Sequence, residues 1–280
     1  MLKPERISAA VYRAVLDMHV RLPRDVGTRL EECARTETGV GRRVLEHILR
    51  NVGLAGEQGL PMCQDTGLMW VFLQVGEELS LHGLKGSVSQ GIAEAYRDGY
   101  FRASIVQDPL SRRLNTGTNL PAVFHLDLVP GRKLQIDLLA KGFGSENCSR
   151  TAMLQPTAER AEVIEAICAV MRQARGAPCP PVVLGVGLGG TMDYAALLSK
   201  RALTRSLADH HPDPYYAELE RDACAAVNAL GIGAGGLGGS CTALGVAIET
   251  SATHIAGMPL AVSVNCWADR RARIVLEEET

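Results

Sequence analysis

The sequence has no strong excess of charge of either sign. Its 280 residues carry 29 Lys and Arg against 31 Asp and Glu, which gives a formal net charge of −2. This near balance provides no electrostatic basis for binding nucleic acid or an anionic membrane surface. We therefore predict neither a nucleic-acid partner nor a membrane partner.

The sequence also lacks a long apolar run. No stretch reaches the roughly 20 apolar residues that a transmembrane helix needs. The first twenty residues do not resemble a signal peptide, because charged side chains interrupt them. These are Lys3, Glu5, Arg6, Arg13 and Asp17. We therefore expect a soluble, cytoplasmic protein.

None of the eight cysteines forms a C-x-x-C pair. This absence argues against zinc ribbons, thioredoxin chemistry and the compact ferredoxin motifs. In a reducing compartment a disulfide framework is not expected either. Each cysteine is therefore expected to be a core residue, a reactive thiol or a metal ligand.

Hydrophobic periodicity predicts an α/β chain of mixed α+β type, with a helical N-terminal region and mixed sheets covered by helices. Helical spacing covers residues 7–53, 88–100, 157–175, the segment that ends at 200, and 214–230. Strands are predicted at 68–75, 123–129, 134–139, 182–186, 244–248 and 260–264. We treat residues 1–280 as a single domain, with a possible division near 150–157.

The segment Gly185-Val-Gly-Leu-Gly-Gly190 fits the G-x-G-x-x-G spacing of a dinucleotide-binding loop. Asp209 lies at about the right distance to be a ribose ligand, but the residues before it do not have the pattern of a strand. Nucleotide binding is therefore the less favoured interpretation of these glycines.

Three cysteines lie in loops directly beside predicted strands, where rigid scaffolds present functional groups. They are Cys63, Cys179 and Cys266. Position alone does not separate them from Cys148 and Cys241, which lie near glycine turns. The other three fall on helical patterns and are interpreted as small buried side chains. They are Cys33, Cys168 and Cys224.

A set of three cysteine ligands indicates a particular chemistry. Three thiolates on a four-iron cubane leave the fourth iron without a protein ligand, so that iron can act as a Lewis acid toward substrate oxygens. An electron carrier normally uses four cysteines. The pattern therefore indicates catalysis, if these three cysteines share one cluster.

The surrounding motifs, taken in order, resemble one family. They are Cys63-Gln-Asp-Thr-Gly67, Asn115-Thr-Gly-Thr-Asn-Leu-Pro121, Lys141-Gly-Phe-Gly-Ser-Glu-Asn147, Cys179-Pro-Pro, Gly185-Val-Gly-Leu-Gly-Gly-Thr191, Leu230-Gly-Ile-Gly, Gly236-Leu-Gly-Gly239, Thr253-His-Ile-Ala-Gly257 and Asn265-Cys-Trp-Ala-Asp-Arg-Arg271. From about residue 10 to 275 the chain resembles the alpha subunit of two-subunit class I fumarate hydratases. That family also includes the tartrate dehydratase alpha subunit.

The resemblance implies a 4Fe-4S cluster bound by Cys63, Cys179 and Cys266. It also implies a substrate site in which Asp65 and His254 are the catalytic candidates. The implied substrate-binding residues are Gln64, Asp65, Arg102, Gly144 and His254. Arg102 matches an arginine that pairs with a substrate carboxylate. Without the resemblance, Arg102 would be interpreted as a solvated surface charge, the common role of a lone arginine. His254 is otherwise interpreted as a capping or core histidine.

The first hypothesis for the activity is reversible hydration of fumarate to (S)-malate, a small dicarboxylate. L-tartrate or a mesaconate-type substrate is the alternative, because Trp267 is typical of tartrate-type relatives whereas Lys141–Asn147 is fumarase-like. A non-catalytic or electron-transfer Fe–S protein is a further alternative. The chain also departs from the family pattern at Gly239-Ser-Cys-Thr242, where the relatives usually have Lys-Thr-Thr.

The resemblance also implies a partner chain. The relatives place the base and further substrate-binding residues in a separate beta subunit or C-terminal domain, and this chain ends at Thr280 without one. We therefore expect an obligate beta subunit, in an alpha2beta2 assembly.

Overall fold

A computed structural model describes residues 2–79 and 82–277. The described chain folds into two compact units, each with its own sheet. Unit 1 comprises the described residues within Met1–Pro23, Val52–Gly142 and Arg270–Thr280, and unit 2 comprises Arg24–Asn51 and Phe143–Asp269. The assignment of 1–280 to one domain stays a prediction.

The described residues form the following elements. The helices are α1 (Pro4–Val20), α2 (Arg24–Thr36), α3 (Gly39–Gln58), α4 (Leu84–Asp98), α5 (Phe143–Glu146), α6 (Arg160–Ala174), α7 (Met192–Ala202) and α8 (Pro214–Ala229). The strands are β1 (Leu68–Gly76), β2 (Val123–Val129), β3 (Lys133–Lys141), β4 (Arg150–Leu154), β5 (Val182–Gly189), β6 (Ala243–Ser251), β7 (Met258–Asn265) and β8 (Arg270–Glu277).

Unit 1 is built on a sheet with the strand order β2-β1-β3-β8. Strand β1 runs parallel to β2 and antiparallel to β3, and β3 runs antiparallel to β8. Helix α1 contributes Val11 and Val15, one turn apart, to a buried core that also contains the alternate strand residues Met69 and Val71. Helix α4 adds Ile92 to the same core. One face of the sheet is thereby buried.

Unit 2 is built on a second mixed sheet, with the order β4-β7-β5-β6. Strand β5 runs parallel to β6 and antiparallel to β7, and β4 runs antiparallel to β7. Ile167 of α6 and Ala223 of α8 pack with Leu184 and Val264 in its buried core. The near-continuous apolar run of β5 is typical of a strand with both faces covered.

The mixed α+β class, the helical N-terminal region and the mixed sheets are confirmed. The strands predicted at 123–129 and 134–139 are present, but each pairs with β1 rather than with the other. Two strands were not predicted. They are β4, which lies in the region of the possible division near 150–157, and β8, which follows Cys266.

The glycine pattern at 185–190 has a packing role. Gly185 and Gly187 lie inside β5 rather than in a loop after it. A Cβ at Gly185 would come within 2.1 Å of the Ser199 carbonyl oxygen, and one at Gly187 within 2.0 Å of the Ala195 carbonyl oxygen. These glycines therefore allow helix α7 to approach the sheet, which accounts for the pattern without a nucleotide.

The expectation that the cysteines form no disulfide is wrong for one pair. Cys33 on α2 is bonded to Cys241, 208 residues later in the sequence. Cys33 was predicted to be a small buried side chain, because it follows the helical pattern, and it is half-buried. No spacing rule marks a pair so far apart. Cys168 is buried, as predicted, whereas Cys224, for which the same was predicted, is half-buried.

No helix within residues 2–79 and 82–277 combines the length and apolar character needed to span a bilayer.

Candidate functional site

In unit 1, the candidate residues Cys63, Gln64 and Asp65 lie on one loop between α3 and β1. The Cys63 thiol is reduced and half-buried, and its Sγ lies 3.6 Å from Gln64 Oε1. The Gln64 side chain is exposed and that of Asp65 is half-buried. One short segment therefore presents a thiol, an amide and a carboxylate side by side.

The turn at the end of this loop requires glycine. Gly67 has φ +80°, and a Cβ there would come within 2.8 Å of the Lys141 backbone. The Gly67 N–H donates to Asp65 Oδ1 across 3.0 Å. The hydrogen bond holds one oxygen of the Asp65 carboxylate against its own loop.

The backbone of the loop is anchored by buried polar side chains of unit 1. Arg270 Nη1 donates to the Asp65 carbonyl across 2.7 Å, and the Tyr96 hydroxyl donates to the Thr66 carbonyl across 2.7 Å. Asn119 Nδ2 donates to the Gly67 carbonyl across 2.9 Å. Asn119 and Arg270 lie in motifs of the family resemblance, but the contacts of all three side chains with this loop were not predicted, since they come from distant parts of the chain.

His19 contacts the same loop from helix α1. Its Nε2 lies 2.9 Å from the Thr66 carbonyl oxygen and its Nδ1 lies 2.7 Å from the Val15 carbonyl oxygen. Burial lowers the pKa of His19 to about 4, and the positive charge of Arg270 contributes to the shift. The contacts with the Thr66 and Val15 carbonyls raise the pKa, but by less than burial lowers it. The imidazole is therefore neutral at pH 7.

The structure brings Arg102 beside this loop through its backbone. The Thr66 hydroxyl donates to the Arg102 carbonyl across 2.8 Å. Asn119 Oδ1 accepts from the Ser104 N–H across 2.9 Å, which fixes the chain just after Arg102. The Arg102 side chain is exposed, as a guanidinium that meets a ligand must be.

In unit 2, Cys179 lies on the loop that leads into β5. Its side chain is exposed and its backbone has φ +54°, a value uncommon outside glycine. Its N–H donates to the Gly176 carbonyl across 3.1 Å. The carbonyl of the next residue, Pro180, accepts from the Gly235 N–H across 2.8 Å, so the glycine-rich segment supports this loop.

Cys266 follows the last residue of β7 and is half-buried. Asn265, beside it, is buried and donates from Nδ2 to Asp269 Oδ1 across 2.7 Å. Val183 of β5 is paired with Asn265 of β7. The loop of Cys179 before β5 and Cys266 after β7 therefore lie at the same end of the sheet.

Gly144 lies in α5, at this same end of unit 2. The nearest atom to a Cβ built on Gly144 is the Ala177 carbonyl oxygen, at 4.0 Å. Unlike Gly67, Gly144 does not have a positive φ. Neither packing nor backbone geometry demands a glycine here, which leaves room for a ligand to approach the backbone.

Helix α5 is held by a buried ion pair. Lys200 of α7 is 5% exposed and its ammonium group bonds to Glu146 Oε2. Burial lowers the pKa of Lys200, while the charge of Glu146 and their hydrogen bond act in the opposite direction. The pair fixes the glycine turn to α7. Glu146 was part of a recognised motif, but its partner could not be seen from the sequence.

His254 lies elsewhere in unit 2. It is exposed, on the loop between β6 and β7, and its Nδ1 accepts from the Ala256 N–H across 3.2 Å. All of β7 separates His254 from Cys266, a span of roughly 26 Å for eight extended residues. Unit 2 thus groups Cys179, Cys266 and Gly144, and places His254 at the opposite end of its sheet.

Each of the three candidate cysteines has the donor chemistry of an iron–sulfur ligand. Cys63, Cys179 and Cys266 are outside the disulfide, and each lies on a loop beside a strand. Among the described residues, no three His, Cys, Asp or Glu side chains converge as a single metal ion would require. A cubane is a different case, because each thiolate binds a different iron atom.

Comparison with known proteins identifies the family. The family described as fumarate hydratase (Fumerase) matches residues 8–275. The chain belongs to this fumarate hydratase family. Fumarate hydratases and tartrate dehydratases are both hydro-lyases, so this is a hydro-lyase family.

Named relatives of this fumarate hydratase family member are similar along most of their length. A Methanocaldococcus jannaschii protein with the provisional name L(+)-tartrate dehydratase subunit alpha is 36% identical over 275 residues, which cover 95% of this chain and 96% of that protein. The L(+)-tartrate dehydratase subunit alpha of Escherichia coli O157:H7 is 33% identical over 264 residues, 92% of this chain and 87% of the relative. The protein of the same name from Escherichia coli strain K12 is 32% identical over 264 residues, which cover 92% of this chain and 87% of that protein.

Proposed function

We propose that this chain is the alpha-type subunit of a 4Fe-4S hydro-lyase that adds water to, or removes it from, a small dicarboxylate. The observation that carries the proposal is the loop of unit 1 on which Cys63, Gln64 and Asp65 are adjacent. The proposed cluster ligand, amide donor and proton-transfer group are consecutive in the sequence. The ordered motifs and the family membership support it.

Cys63, Cys179 and Cys266 are the ligands in this proposal. These three thiolates would hold the cluster, which would supply a Lewis-acid iron for the loss or addition of hydroxide. Cys179 and Cys266 lie at one end of the unit 2 sheet, which supports their assignment to one group.

The chain's own residues bind the substrate and move protons. Asp65, whose Oδ1 is held by the Gly67 N–H, is the proton-transfer candidate. The exposed guanidinium of Arg102 pairs with a substrate carboxylate, and the exposed amide of Gln64 donates to another substrate oxygen. The backbone of Gly144, where a Cβ would have no neighbour nearer than 4.0 Å, allows the close approach of the ligand.

The role of His254 as a second catalytic group rests on the family resemblance. Its exposed position leaves it accessible. Its distance along β7 from Cys266 gives no support to action beside Cys266 of the same chain. Substitution of His254 by Asn, assayed for turnover in the complex with the beta subunit, tests this role directly.

A beta subunit completes the proposed enzyme. The relatives are named as alpha subunits, and Gln64, Arg102 and Cys179 are exposed in this chain. A partner that covers these groups would exclude water from the reaction. We propose an alpha2beta2 assembly.

Two substrates are to be compared directly. Fumarate is the first hypothesis from the motifs. L-tartrate is at least as well supported, because the relatives from Methanocaldococcus jannaschii and Escherichia coli carry that name and Trp267 is typical of that type. The test is to combine the chain anaerobically with a candidate beta subunit and to measure turnover of fumarate, L-tartrate and mesaconate.

The proposal predicts turnover of one of these substrates only with both chains, and its loss in Asp65→Asn. The control is Asp17→Asn, an exposed carboxylate on α1. Turnover by the chain alone would contradict the split site. No turnover with any partner and no change in the cluster spectrum on adding substrate would favour an electron-transfer protein instead.

A further inference from the structure

Three consecutive carbonyl groups of the loop that carries Asp65 point into the interior of unit 1. They belong to residues 65, 66 and 67, and each meets a buried polar side chain. We call these side chains the carbonyl cradle. Its members are His19, Tyr96, Asn119 and Arg270.

The carbonyl cradle draws on four separate parts of unit 1. His19 comes from α1, Tyr96 from α4, Asn119 from the loop before β2, and Arg270 from β8. All four residues are buried, with at most 3% of their surface exposed. The guanidinium of Arg270 is buried, and its Nη1 donates to the Asp65 carbonyl across 2.7 Å. Such buried groups are costly to place, which indicates a strict geometric role.

Tyr96 is the central member. Its hydroxyl lies 2.7 Å from the Thr66 carbonyl oxygen and 3.1 Å from that of Gly67, so it donates between two successive peptides. Burial raises the pKa of Tyr96, which keeps the hydroxyl protonated. The Tyr96 hydroxyl is therefore the one member of the carbonyl cradle that contacts both of these carbonyl oxygens, while His19 and Asn119 each contact one.

This orientation reaches the Asp65 carboxylate through one peptide group. The Thr66 carbonyl and the Gly67 N–H belong to the same planar trans peptide and point in opposite directions. When Tyr96 holds the carbonyl inward, the N–H points outward, where it donates to Asp65 Oδ1 across 3.0 Å. The hydroxyl of Tyr96 and the carboxylate of Asp65 are thus linked by a rigid unit.

We propose that Tyr96 is a positioning residue that sets the direction of the Asp65 carboxylate through the Thr66–Gly67 peptide. Arg270 and Asn119 hold the carbonyls on either side. The inference deepens the proposed function, since it rests on Asp65 being the proton-transfer group. A fixed carboxylate matters because a small misplacement of a proton-transfer group slows a reaction strongly.

The test is Tyr96→Phe, which removes only the hydroxyl. The matched control is Tyr12→Phe, since the Tyr12 hydroxyl donates to exposed Asp98 in the same unit and touches no part of the loop. Hydrogen–deuterium exchange of the segment 63–68 is measured on the full chain, without iron or substrate. The kinetic constants kcat and KM are measured in the complex with the beta subunit.

In Tyr96→Phe we expect exchange of segment 63–68 to accelerate by about tenfold, because a hydrogen bond that orders the Gly67 amide is lost. We expect kcat to fall by about tenfold or more with KM nearly unchanged, because Gln64 and Arg102 still bind substrate. Tyr12→Phe should leave the exchange rate, kcat and KM at their wild-type values.

Unchanged exchange in Tyr96→Phe would overturn the proposal, whatever the activity. Faster exchange with wild-type kcat would also overturn it, because the hydroxyl would then be only structural. If the wild-type complex turns over no dicarboxylate, the proposed function fails by itself, and with it the assignment of Asp65 on which a positioning role depends.

Discussion

The Glu37 carboxylate accepts a hydrogen bond from the backbone N–H of Cys241 across 3.0 Å. The same oxygen, Oε2, also accepts from the N–H and the hydroxyl of Ser240, at 2.6 and 3.1 Å. Cys33, one helical turn before Glu37, is bonded to Cys241. The C-terminal end of α2 and the residue after it therefore hold the glycine-rich segment of unit 2 by a disulfide bond and by hydrogen bonds to a carboxylate.

Glu37→Gln is expected to destabilise the protein by about 2 kcal/mol, the usual range for hydrogen bonds to a charged group. Burial by itself raises the pKa of Glu37. The hydrogen bonds from Thr38, Cys241 and Ser240 together lower the pKa by more than burial raises it, so the net shift is downward. The stabilisation is therefore present above the unfolded-state pKa and lost as the pH falls through the lower folded-state value.

Urea unfolding at several pH values measures this difference. Glu32→Gln, an exposed partner of Arg29 on the same helix, is the control and should cost little. A Glu37→Gln difference that stays constant down to acidic pH would contradict the ionic role of Glu37.

Loss of the Cys33–Cys241 bond is expected to lower stability by about 2–5 kcal/mol, because the bond closes a loop of 208 residues in the unfolded chain. Unfolding is compared for the oxidised wild type and for Cys33→Ser. Cys224→Ser, a half-buried thiol on α8, is the control. A non-reducing peptide map without a Cys33–Cys241 crosslink in the oxidised protein would contradict the pairing.

His19 makes stability depend on pH in the acid range. The pKa of His19 is lowered from 6.5 to about 4, so between these values the unfolded state binds the proton and the folded state does not. Stability is full above about pH 6.5 and falls as the pH drops toward 4, by about 3 kcal/mol from this group.

His19→Gln should flatten that slope, even though the loss of its contacts lowers stability at every pH. The exposed His47→Gln is the control and should keep the wild-type slope. Equal slopes for wild type and His19→Gln between pH 4 and 6.5 would show that His19 is not buried as a neutral imidazole.

Gly144→Ala separates folding from function at one position. The Cβ would come no nearer than 4.0 Å to its closest neighbour, so the melting temperature should stay within a few degrees of wild type. Turnover by the complex should fall by about tenfold, because the new methyl group blocks the approach of the ligand to the backbone.

Gly86→Ala, where the structure also leaves open space, is the control for an added methyl group. It should leave turnover unchanged. Wild-type turnover in Gly144→Ala would remove Gly144 from the substrate site, and a large loss of stability would show that its role is structural.

The sequence predicted the elements whose pattern is strong and local. The strands near 68–75, 182–186 and 260–264 are apolar runs, and all three are present. Strand β4 was missed because Arg150–Leu154 is largely exposed, and β8 because arginines occupy three of its first four positions. Their strand character comes from pairing with β7 and β3, which a local pattern does not contain.

The candidate site was predictable in its reactive groups but not in its supports. Cys63, Gln64 and Asp65 stand together in one motif, so their loop could be found by resemblance. Tyr96 and His19 instead have positions within amphipathic helices, where a polar side chain on the buried face leaves no distinct pattern. Long-range partners of this kind are set by tertiary packing.

Iron and inorganic sulfide analysis of anaerobically reconstituted chains tests the central claim most directly. Wild type and Cys224→Ser should bind about four irons per chain, as one cubane requires. Cys63→Ser, Cys179→Ser and Cys266→Ser should each lose most of that iron, together with the broad visible absorption of the cluster. Wild-type iron and sulfide contents in all three variants would contradict the account.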